Sequence, residues 1–493
     1  MKRKLVTGFM AAVLAVSLLA GCGTANSKDK GESGENTNTG EESGDNTSDD
    51  AGQENGGDQA GGASKGGRVY LLNFKPETDE AWQELAEIYT SQTGTEVNVL
   101  TAADGQYSTT QQAEMAKAQA PTIFNVGNVT AAQTWNDYTL DLKDTFLYDH
   151  LTDKSLSIEY DGKVAAVANC YECYGLIYNK KILGDYCTMD NAVVSSPTDI
   201  TSFDTLKAVA EDINSRVDEI NEKFGYELQG AFASPGLDSG SSWRFSGHLA
   251  NMPLYYEFRD DGCDLVGGEA KIDGAYLDQY KAVWDMYVAN SAADPKTLNS
   301  GALNAETEFG MEEAVFYQNG DWEYSPLTND ENGYLVAPED LGMMPIYFGV
   351  DDENQGLCVG TENYWAINSQ ASQEDIDASL AFLEWVISSE EGRDAITNQM
   401  GLSATFDTFT GEYESANPFV QDANALMAGG KTSVAWSFNA TPNVDDWRAD
   451  VVSALTAYTD GSGDWNGVVT AFVDGWANQW ALAHEGDAEP ETP

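Results

Sequence analysis

The sequence predicts an α/β protein whose folded part forms two lobes joined by crossings of the chain. About 425 residues follow residue 67, which is more than one simple core holds. Strand-like apolar runs alternate with helical patterns along this length. At 163–167 and 174–178, two strand-like runs are separated only by a short polar step at 169–173, which indicates a chain that leaves one sheet and enters another. We expect a ligand cleft beside such a hinge.

The N-terminus has the pattern of an exported lipoprotein. Residues 2–4 are basic, residues 5–18 form an apolar core too short to span a bilayer comfortably, and the run LAGC follows, ending at Cys22. This run resembles a bacterial lipobox. We therefore expect a lipoprotein signal peptide over 1–21 and a lipid anchor at Cys22, which places the protein on the outer face of the bacterial cytoplasmic membrane. An ordinary secretory signal with an incidental cysteine is the alternative.

The segment 22–67 is predicted to be the lipid anchor followed by a disordered, acidic linker. After Cys22 it is almost wholly small and polar and contains no aromatic residue. Such a segment cannot bury enough apolar surface to offset the entropy of ordering it. We assign it no chemistry beyond spacing the folded part from the membrane.

Charge and cysteine content exclude several classes of function. The chain has 25 basic and 81 acidic residues, for a net charge of -56, so nucleic acid is not an expected partner. Besides Cys22 the chain has an odd number of cysteines, which argues against a complete disulfide framework, and it has three histidines. We expect no metal and no cofactor; a redox or metal role for the C-x-x-C pair is the alternative to buried thiols. The cysteines are Cys170, Cys173, Cys187, Cys263 and Cys358.

The first lobe is predicted to begin at 68–168 with a β-α-β-α-β order. Apolar residues from Trp82 to Tyr89 follow helical spacing, and Gly94 ends that helix. This order predicts a parallel sheet, in which ligands sit beyond the carboxyl ends of the strands. The candidate ligand-binding residues there are Asn73, Lys75, Asp104 and Asn128. The two asparagines could equally be turn formers.

The second lobe is predicted over 169–350 and carries the clearest candidate site. A single amphipathic helix is expected from Ser202 to Gly225. Trp243 lies next to Arg244, and an indole face beside a guanidinium is suited to a sugar ring and its hydroxyl groups. His248 is expected to be structural. Glu172 is the acidic residue in a site-like position at the crossing.

The chain is predicted to return to the first lobe over 351–403 and to end in the second lobe at 404–484, before a polar tail at 485–493. Tyr364 and Trp365 alternate on a strand, so only one can face the cleft, and we expect Tyr364. Trp436 lies in a Ser/Asn-rich loop and is expected to be a second stacking residue. Two closing helices follow it.

Several motifs, in this order, carry a resemblance to a family. They are the DGK turn and GLIYNK strand end within 161–180, the segment FGMEEAVFYQNGDW at 309–322, the segment LCVGTENYWAIN at 357–368, and the closing helices. Together they resemble the extracytoplasmic sugar-binding proteins of ABC transporters, the maltose-binding-protein-like group of family 1. PTIFNVGN at 121–128 is similar to a Pro-Asp strand of that family, with Thr122 in place of the acid.

The resemblance implies a two-lobed periplasmic-binding-protein-like fold with hinge crossings and an aromatic-lined ligand cleft. It further implies an oligosaccharide ligand delivered to an ABC permease, with Trp322 as the stacking platform and Asp321 beside it. We expect a monomer without catalytic activity. A lipid-anchored glycoside hydrolase is the alternative, but Glu172 is expected to accept hydrogen bonds from sugar hydroxyls. A peptide or metal receptor is disfavoured by the scarce histidines.

Overall fold

A computed structural model describes residues 66–103, 105–265, 267–294, 297 and 304–484. The predicted signal peptide, Cys22, nearly all of the linker, Asp104 and the tail lie outside the described residues. Within the described part of the chain, no helix is long and apolar enough to cross a membrane.

Strands and helices alternate along the chain, as the apolar pattern predicts. The strands are β1 (Val69–Asn73), β2 (Val97–Thr101), β3 (Ile123–Val126), β4 (Ser157–Tyr160), β5 (Lys163–Ala168), β6 (Cys170–Asn179), β7 (Gly230–Phe232), β8 (Ala314–Gly320), β9 (Leu341–Met344), β10 (Gln355–Gly360), β11 (Tyr364–Ile367), β12 (Ser403–Ala404) and β13 (Thr432–Ala435). The α-helices are α1 (Asp79–Thr93), α2 (Tyr107–Met115), α3 (Val129–Thr134), α4 (Phe146–Asp149), α5 (Lys180–Cys187), α6 (Phe203–Ser215), α7 (Val217–Phe224), α8 (Asn251–Asp261), α9 (Leu277–Ala289), α10 (Ala305–Gly310), α11 (Tyr324–Thr328), α12 (Gln373–Ser388), α13 (Glu390–Asp394), α14 (Pro418–Ala428), α15 (Val444–Asp460) and α16 (Trp465–Ala483).

The first lobe is built on a sheet with the order β2-β1-β3-β11-β5-β4. Strand β1 is parallel to β2 and β3, which confirms the predicted parallel pairing. Helix α1 ends at Gly94, whose φ of 79° is left-handed. The ring of Trp82 in α1 packs against Trp365 of β11 and Phe382 of α12. One aromatic core therefore joins the early strands to the segment that returns much later in the chain.

The second lobe is built on a sheet with the order β13-β10-β6-β8-β7, and β6 also pairs with β9 and β12. Helices α8, α9, α15 and α16 each contribute buried aromatic residues to one core beside this sheet. The helix predicted from Ser202 to Gly225 is capped at those two residues but breaks at Arg216 into α6 and α7. The apolar spacing is the same on both sides of the break, so periodicity did not reveal it.

Three segments cross between the two sheets. The first crossing is a single residue, Asn169, because β6 already begins at Cys170; the polar step predicted at 169–173 is therefore wrong, and Glu172 lies within a strand. The second crossing lies at 361–363, because β10 pairs with β6 and only β11 joins the first sheet. The boundary predicted at 351 is about ten residues early. A polar run, Thr-Glu-Asn, separates the two strands in the sequence, but only strand pairing shows that they belong to different sheets.

The crossings are hydrogen-bonded to one another. The Asn169 backbone N–H donates to the carbonyl of Asn363 at 2.9 Å. Close to the first crossing, the Thr405 hydroxyl donates to the carbonyl of Ala168 at 2.5 Å. Residues 405–413 remain hydrogen-bonded to the first lobe, so the third crossing lies between residue 413 and α14. The boundary predicted at 404 is about ten residues early. The hinge is thus a short, mutually supported bundle of backbone.

Candidate functional site

The strand ends that face the hinge bring residues from both lobes together. Strand β1 of the first lobe leads to Lys75, and strand β8 of the second lobe leads to Trp322. The Lys75 ammonium lies 2.6 Å from a carboxylate oxygen of Glu172 and 5.1 Å from the centre of the Trp322 ring. Three of the predicted site residues are therefore neighbours.

An aromatic cluster of Tyr174, Trp243, His248 and Trp322 lies at this edge of the second lobe. The rings of Trp243 and Trp322 are partly exposed and 5.9 Å apart, with an interplanar angle of 44°. Behind them, the imidazole of His248 stacks on Tyr174 at 4.0 Å and 9°. Trp322 lies 5.8 Å from Tyr174 and 5.7 Å from His248. Two indoles are thus supported by a buried aromatic layer.

The position of Trp322 depends on the glycine two residues before it. Trp322 lies in a short 3-10 turn that begins where β8 ends. A Cβ atom on Gly320 would lie 2.2 Å from the Trp322 ring. The backbone φ of Gly320 is -97°, an ordinary value. The glycine is therefore required for the close approach of the indole and not for its backbone conformation.

Trp243 and Arg244 are held at the start of a π-helical turn, Arg244–Leu249, a geometry frequent at functional sites. The indole Nε1–H of Trp243 donates to the carbonyl of Gly240 at 2.9 Å. The guanidinium of Arg244 lies 4.7 Å from the Trp243 ring and donates to the Tyr317 hydroxyl at 3.1 Å. The predicted pairing of a flat indole with a cation is present.

The charged centre of the site is the ion pair of Lys75 and Glu172. The second oxygen of Glu172 accepts a hydrogen bond from the Asn363 side chain at 2.8 Å. Burial opposes the charge on Lys75, but the Glu172 and Glu77 carboxylates outweigh it and hold the Lys75 pKa well above its usual value. Lys75 is therefore a fixed cation between the hinge and the aromatic cluster.

Two further carboxyls flank Trp322. Asp321 and Glu323 are both buried. Burial raises the pKa of Asp321, and the nearby Glu172 adds to that shift. Burial also raises the pKa of Glu323 to about 8, against the opposing effect of Arg244. At neutral pH, Glu323 is accordingly held mainly in the protonated form.

The other residues predicted to bind ligand belong to neither the aromatic cluster nor the ion pair. The Asn73 amide donates to the Lys75 carbonyl and to two threonine hydroxyls, and Asn128 caps α3. Both asparagines therefore have the turn-forming contacts given as their alternative. Tyr364 is partly exposed while Trp365 is 1% exposed, which is the expected alternation. Asp104 lies outside the described residues.

Trp436 requires a correction. Its side chain is 1% exposed and packs edge-on against His248, 4.9 Å away, and beside Phe438. A Cβ on Gly360 would meet this indole at 2.5 Å. The Ser/Asn-rich context suggested an exposed loop, but the side chain turns inward behind the aromatic cluster. In this structure Trp436 supports the site and offers no face to a ligand.

Sequence reasoning missed Tyr174, Tyr317 and Asn363, and it treated His248 as structural without placing it in the site. Tyr174 lies opposite Gly320 on the neighbouring strand β8, so a strand register would have located it. His248 is buried, and the pKa of its imidazole is lowered well below normal by burial and by nearby cations. It is accordingly a neutral ring in the aromatic layer.

The described cysteines all carry free thiols, and Cys170 and Cys173 are buried in β6. Burial raises the pKa of both thiols well above normal. Among the residues that the structure describes, no cluster of histidine, cysteine and acidic side chains could hold a metal ion.

Known proteins with solved structures share this fold. A chitin oligosaccharide binding protein aligns with a TM-score of 0.63 at 15% identity, covering 86% of this chain and 99% of that one. The GacH receptor of Streptomyces glaucescens, solved with acarbose, aligns with a TM-score of 0.58 at 17% identity, covering 85% and 98%. Maltose-bound MalE3 of T. maritima aligns with a TM-score of 0.59 at 16% identity, covering 84% and 99%. These likenesses show the two-lobed fold.

Sequence comparison identifies the family. No individually curated protein matches this chain significantly. The profile of bacterial extracellular solute-binding proteins matches residues 84–428, which is more than half of the chain and includes most of both lobes and the aromatic cluster. The protein is therefore a member of the bacterial extracellular solute-binding protein family.

Proposed function

We propose that this protein captures an oligosaccharide between its lobes and delivers it to the permease of an ABC importer. The observation that carries the proposal is the pair of partly exposed indoles, Trp243 and Trp322, 5.9 Å apart at the edge of the second lobe that faces the hinge. Flat aromatic faces pack well against the apolar C–H faces of sugar rings.

The polar groups around the indoles suit hydroxyl groups. Arg244 supplies fixed N–H donors at one side, and Lys75 supplies a buried cation at the other. Glu323 is mainly protonated at neutral pH and can donate as well as accept. The carboxyl group of Glu172 is already paired with Lys75 and Asn363. Such a site recognises a neutral ligand without requiring a counter-ion.

Similarity supports the same ligand class. The structures described above are named for chitin oligosaccharide, acarbose and maltose. Their fold is shared, and the present aromatic cluster provides the chemistry that would recognise a saccharide here. The proposed ligand is an oligosaccharide of unspecified linkage.

Capture is proposed to occur by closure of the lobes about the three crossings, with the closed form recognised by the permease. A Cβ on Gly105 of the first lobe would lie 3.9 Å from the Ser239 carbonyl of the second lobe, so these two loops of the opposite lobes lie close together. The lipid on Cys22 is proposed to hold the protein, as a monomer, on the outer face of the cytoplasmic membrane.

A thermal-unfolding screen tests the proposal. The purified protein is titrated with maltotriose, raffinose, xylotriose and triacetylchitotriose, since a ligand that binds only the folded state raises the unfolding temperature. At least one saccharide should do so, and a monosaccharide should be less effective. No stabilisation by any member of a wide oligosaccharide panel would contradict the proposal.

The same samples test whether the protein is an enzyme. We propose that it releases its ligand unchanged. After prolonged incubation, chromatography should recover the saccharide at its original length. Shorter products that persist in repurified protein would instead support the glycoside hydrolase.

A further inference from the structure

A small cavity lies beside the aromatic cluster in the second lobe. Its volume is about 10 Å³, and its lining includes Arg244, Tyr287, Gln318 and the segment 232–236. A space of this size accommodates one water-sized group. The cavity sits where β7 ends and close to the end of β8, the edge that also presents Trp322.

Two buried polar atoms in the lining have no hydrogen-bond partner within the described structure. They are the Tyr287 hydroxyl and the Gln318 side-chain oxygen, and the residues are 2% and 6% exposed. An unpaired buried polar atom costs about 1–3 kcal/mol, so each such atom needs an explanation.

The orientation of the Gln318 amide is set by its other contacts. Its nitrogen donates to the carbonyl oxygen of Arg244 at 2.9 Å and to the Tyr174 hydroxyl at 3.1 Å. A carbonyl oxygen only accepts, so the amide nitrogen must face it. The amide oxygen is therefore the atom left over, and it requires a donor.

The cavity is one side chain away from the stacking surface. Arg244 lines the cavity and also lies against the Trp243 ring, 4.7 Å from its centre. The Tyr174 hydroxyl, which Gln318 contacts, belongs to the layer on which Trp322 rests. A group attached to a ring stacked on the indoles is thus close to the cavity.

We propose that this cavity is a subsite for one hydroxyl group of the bound saccharide, which donates to the Gln318 oxygen and accepts from the Tyr287 hydroxyl. The inference rests on the proposed saccharide function. A hydroxyl satisfies both unpaired atoms at once, whereas hydrogen or a methyl group satisfies neither. A trapped water has the same donor and acceptor chemistry and is the other possible source.

Replacement of Tyr287 distinguishes a ligand hydroxyl from a trapped water. Tyr287→Phe keeps the ring in the core and removes only the hydroxyl. The wild type and the variant are titrated by calorimetry with maltotriose, raffinose, xylotriose and triacetylchitotriose. If a ligand hydroxyl fills the cavity, the variant should bind the probe that the wild type binds about three- to tenfold more weakly, which is the range of one hydrogen bond. The unfolding temperature of the unliganded variant should be unchanged or higher.

Tyr256→Phe is the matched control. Tyr256 is also buried in the second lobe, but its hydroxyl has a partner, Gln355, at 2.8 Å. This variant should unfold at a lower temperature and bind the same probe with wild-type affinity. A monodeoxy derivative of the same probe, lacking the hydroxyl that enters the cavity, should bind the wild type more weakly than the parent probe does. Its affinity for Tyr287→Phe should be no lower than its affinity for the wild type.

The outcomes are distinct. A Tyr287→Phe protein that is destabilised without ligand but binds every probe as the wild type does would assign the cavity to a structural water and overturn the inference, while leaving the saccharide function intact. If the wild type binds no saccharide, the proposed function fails and this inference fails with it.

Discussion

The ammonium group of Lys75 and the carboxylate of Glu172 lie 2.6 Å apart, and their side chains are 10% and 4% exposed. Lys75 follows the first strand of one lobe, whereas Glu172 lies in the central strand of the other. The same ammonium faces the ring of Trp322. One buried ion pair therefore connects the hinge, the two lobes and the proposed stacking surface.

Removal of one partner from this pair should be strongly destabilising. Lys75→Met leaves a buried carboxyl without its cation, so chemical denaturation near pH 8 should show a loss of about 3–5 kcal/mol. Without Lys75 the pKa of Glu172, already raised by burial, rises further. A raised folded-state pKa contributes stability at low pH that is lost as pH increases, so the deficit should be smaller at pH 5.

Two comparisons check that result. Lys75→Met combined with Glu172→Gln should recover part of the loss, because the buried carboxylate is then removed and only the more exposed Glu77 is left without its cation. Lys207→Met breaks an exposed pair with Glu211 and should cost less than about 1 kcal/mol. Equal losses for Lys75→Met and Lys207→Met would show that the buried pair has no special role.

Trp322→Ala should reduce saccharide affinity at least about tenfold, because it removes a stacking face worth about 1 kcal/mol beyond its buried area. The ligand-induced increase in unfolding temperature should be lost while the unliganded protein stays folded. Trp480→Ala is the control: this indole is also partly exposed but lies on α16 and stacks on His484. If the saccharide raises the unfolding temperature of Trp322→Ala as much as that of the wild type, Trp322 is not the stacking platform.

Gly320→Ala tests the placement of the indole without deleting it. The new Cβ would meet the Trp322 ring at 2.2 Å, so the ring must move, at a cost of about 1–3 kcal/mol. Affinity should fall several-fold in isothermal titration. Gly184→Ala is the matched control, since nothing lies near its Cβ within helix α5. It should raise stability by about 0.5–1 kcal/mol and leave binding intact.

Glu323→Gln should flatten the pH dependence of stability. The pKa of Glu323 is about 8 in the folded protein, against about 4.3 in an unfolded chain. Between these values the unfolded state binds fewer protons, so stability falls as pH rises. From pH 5 to pH 8, the wild type should therefore lose more unfolding free energy than Glu323→Gln, by an amount on the order of a few kcal/mol.

Exposed Glu87 supplies the comparison for that measurement. Glu87→Gln should follow the wild-type curve across the same pH range. Parallel curves for the wild type and Glu323→Gln would mean that Glu323 titrates in the folded protein as it does in the unfolded chain.

Local sequence signals predicted most of the secondary structure. The cap at Ser202, the helix ends at Gly94 and Gly225, and the apolar spacing of α1, α15 and α16 all agree with the structure. Such features depend on residues within one or two turns of each other. The break at Arg216 was not predicted, because the apolar spacing continues through it. The crossing at 361–363 coincides with the polar run Thr-Glu-Asn, but only strand pairing shows that the flanking strands belong to different sheets.

Some features of the candidate site could likewise be predicted from the sequence, and others could not. Gly320 lies two residues before Trp322, and Trp243 directly precedes Arg244, so the identity and chemistry of these residues could be read directly from the sequence. The inward position of Trp436 against His248, the stacking of His248 on Tyr174 and the pairing of Lys75 with Glu172 join segments roughly 70 to 190 residues apart. No local sequence pattern indicates which distant side chains will come into contact. These contacts are decided by how the strands pair and by how the crossings bring the edges of two sheets together.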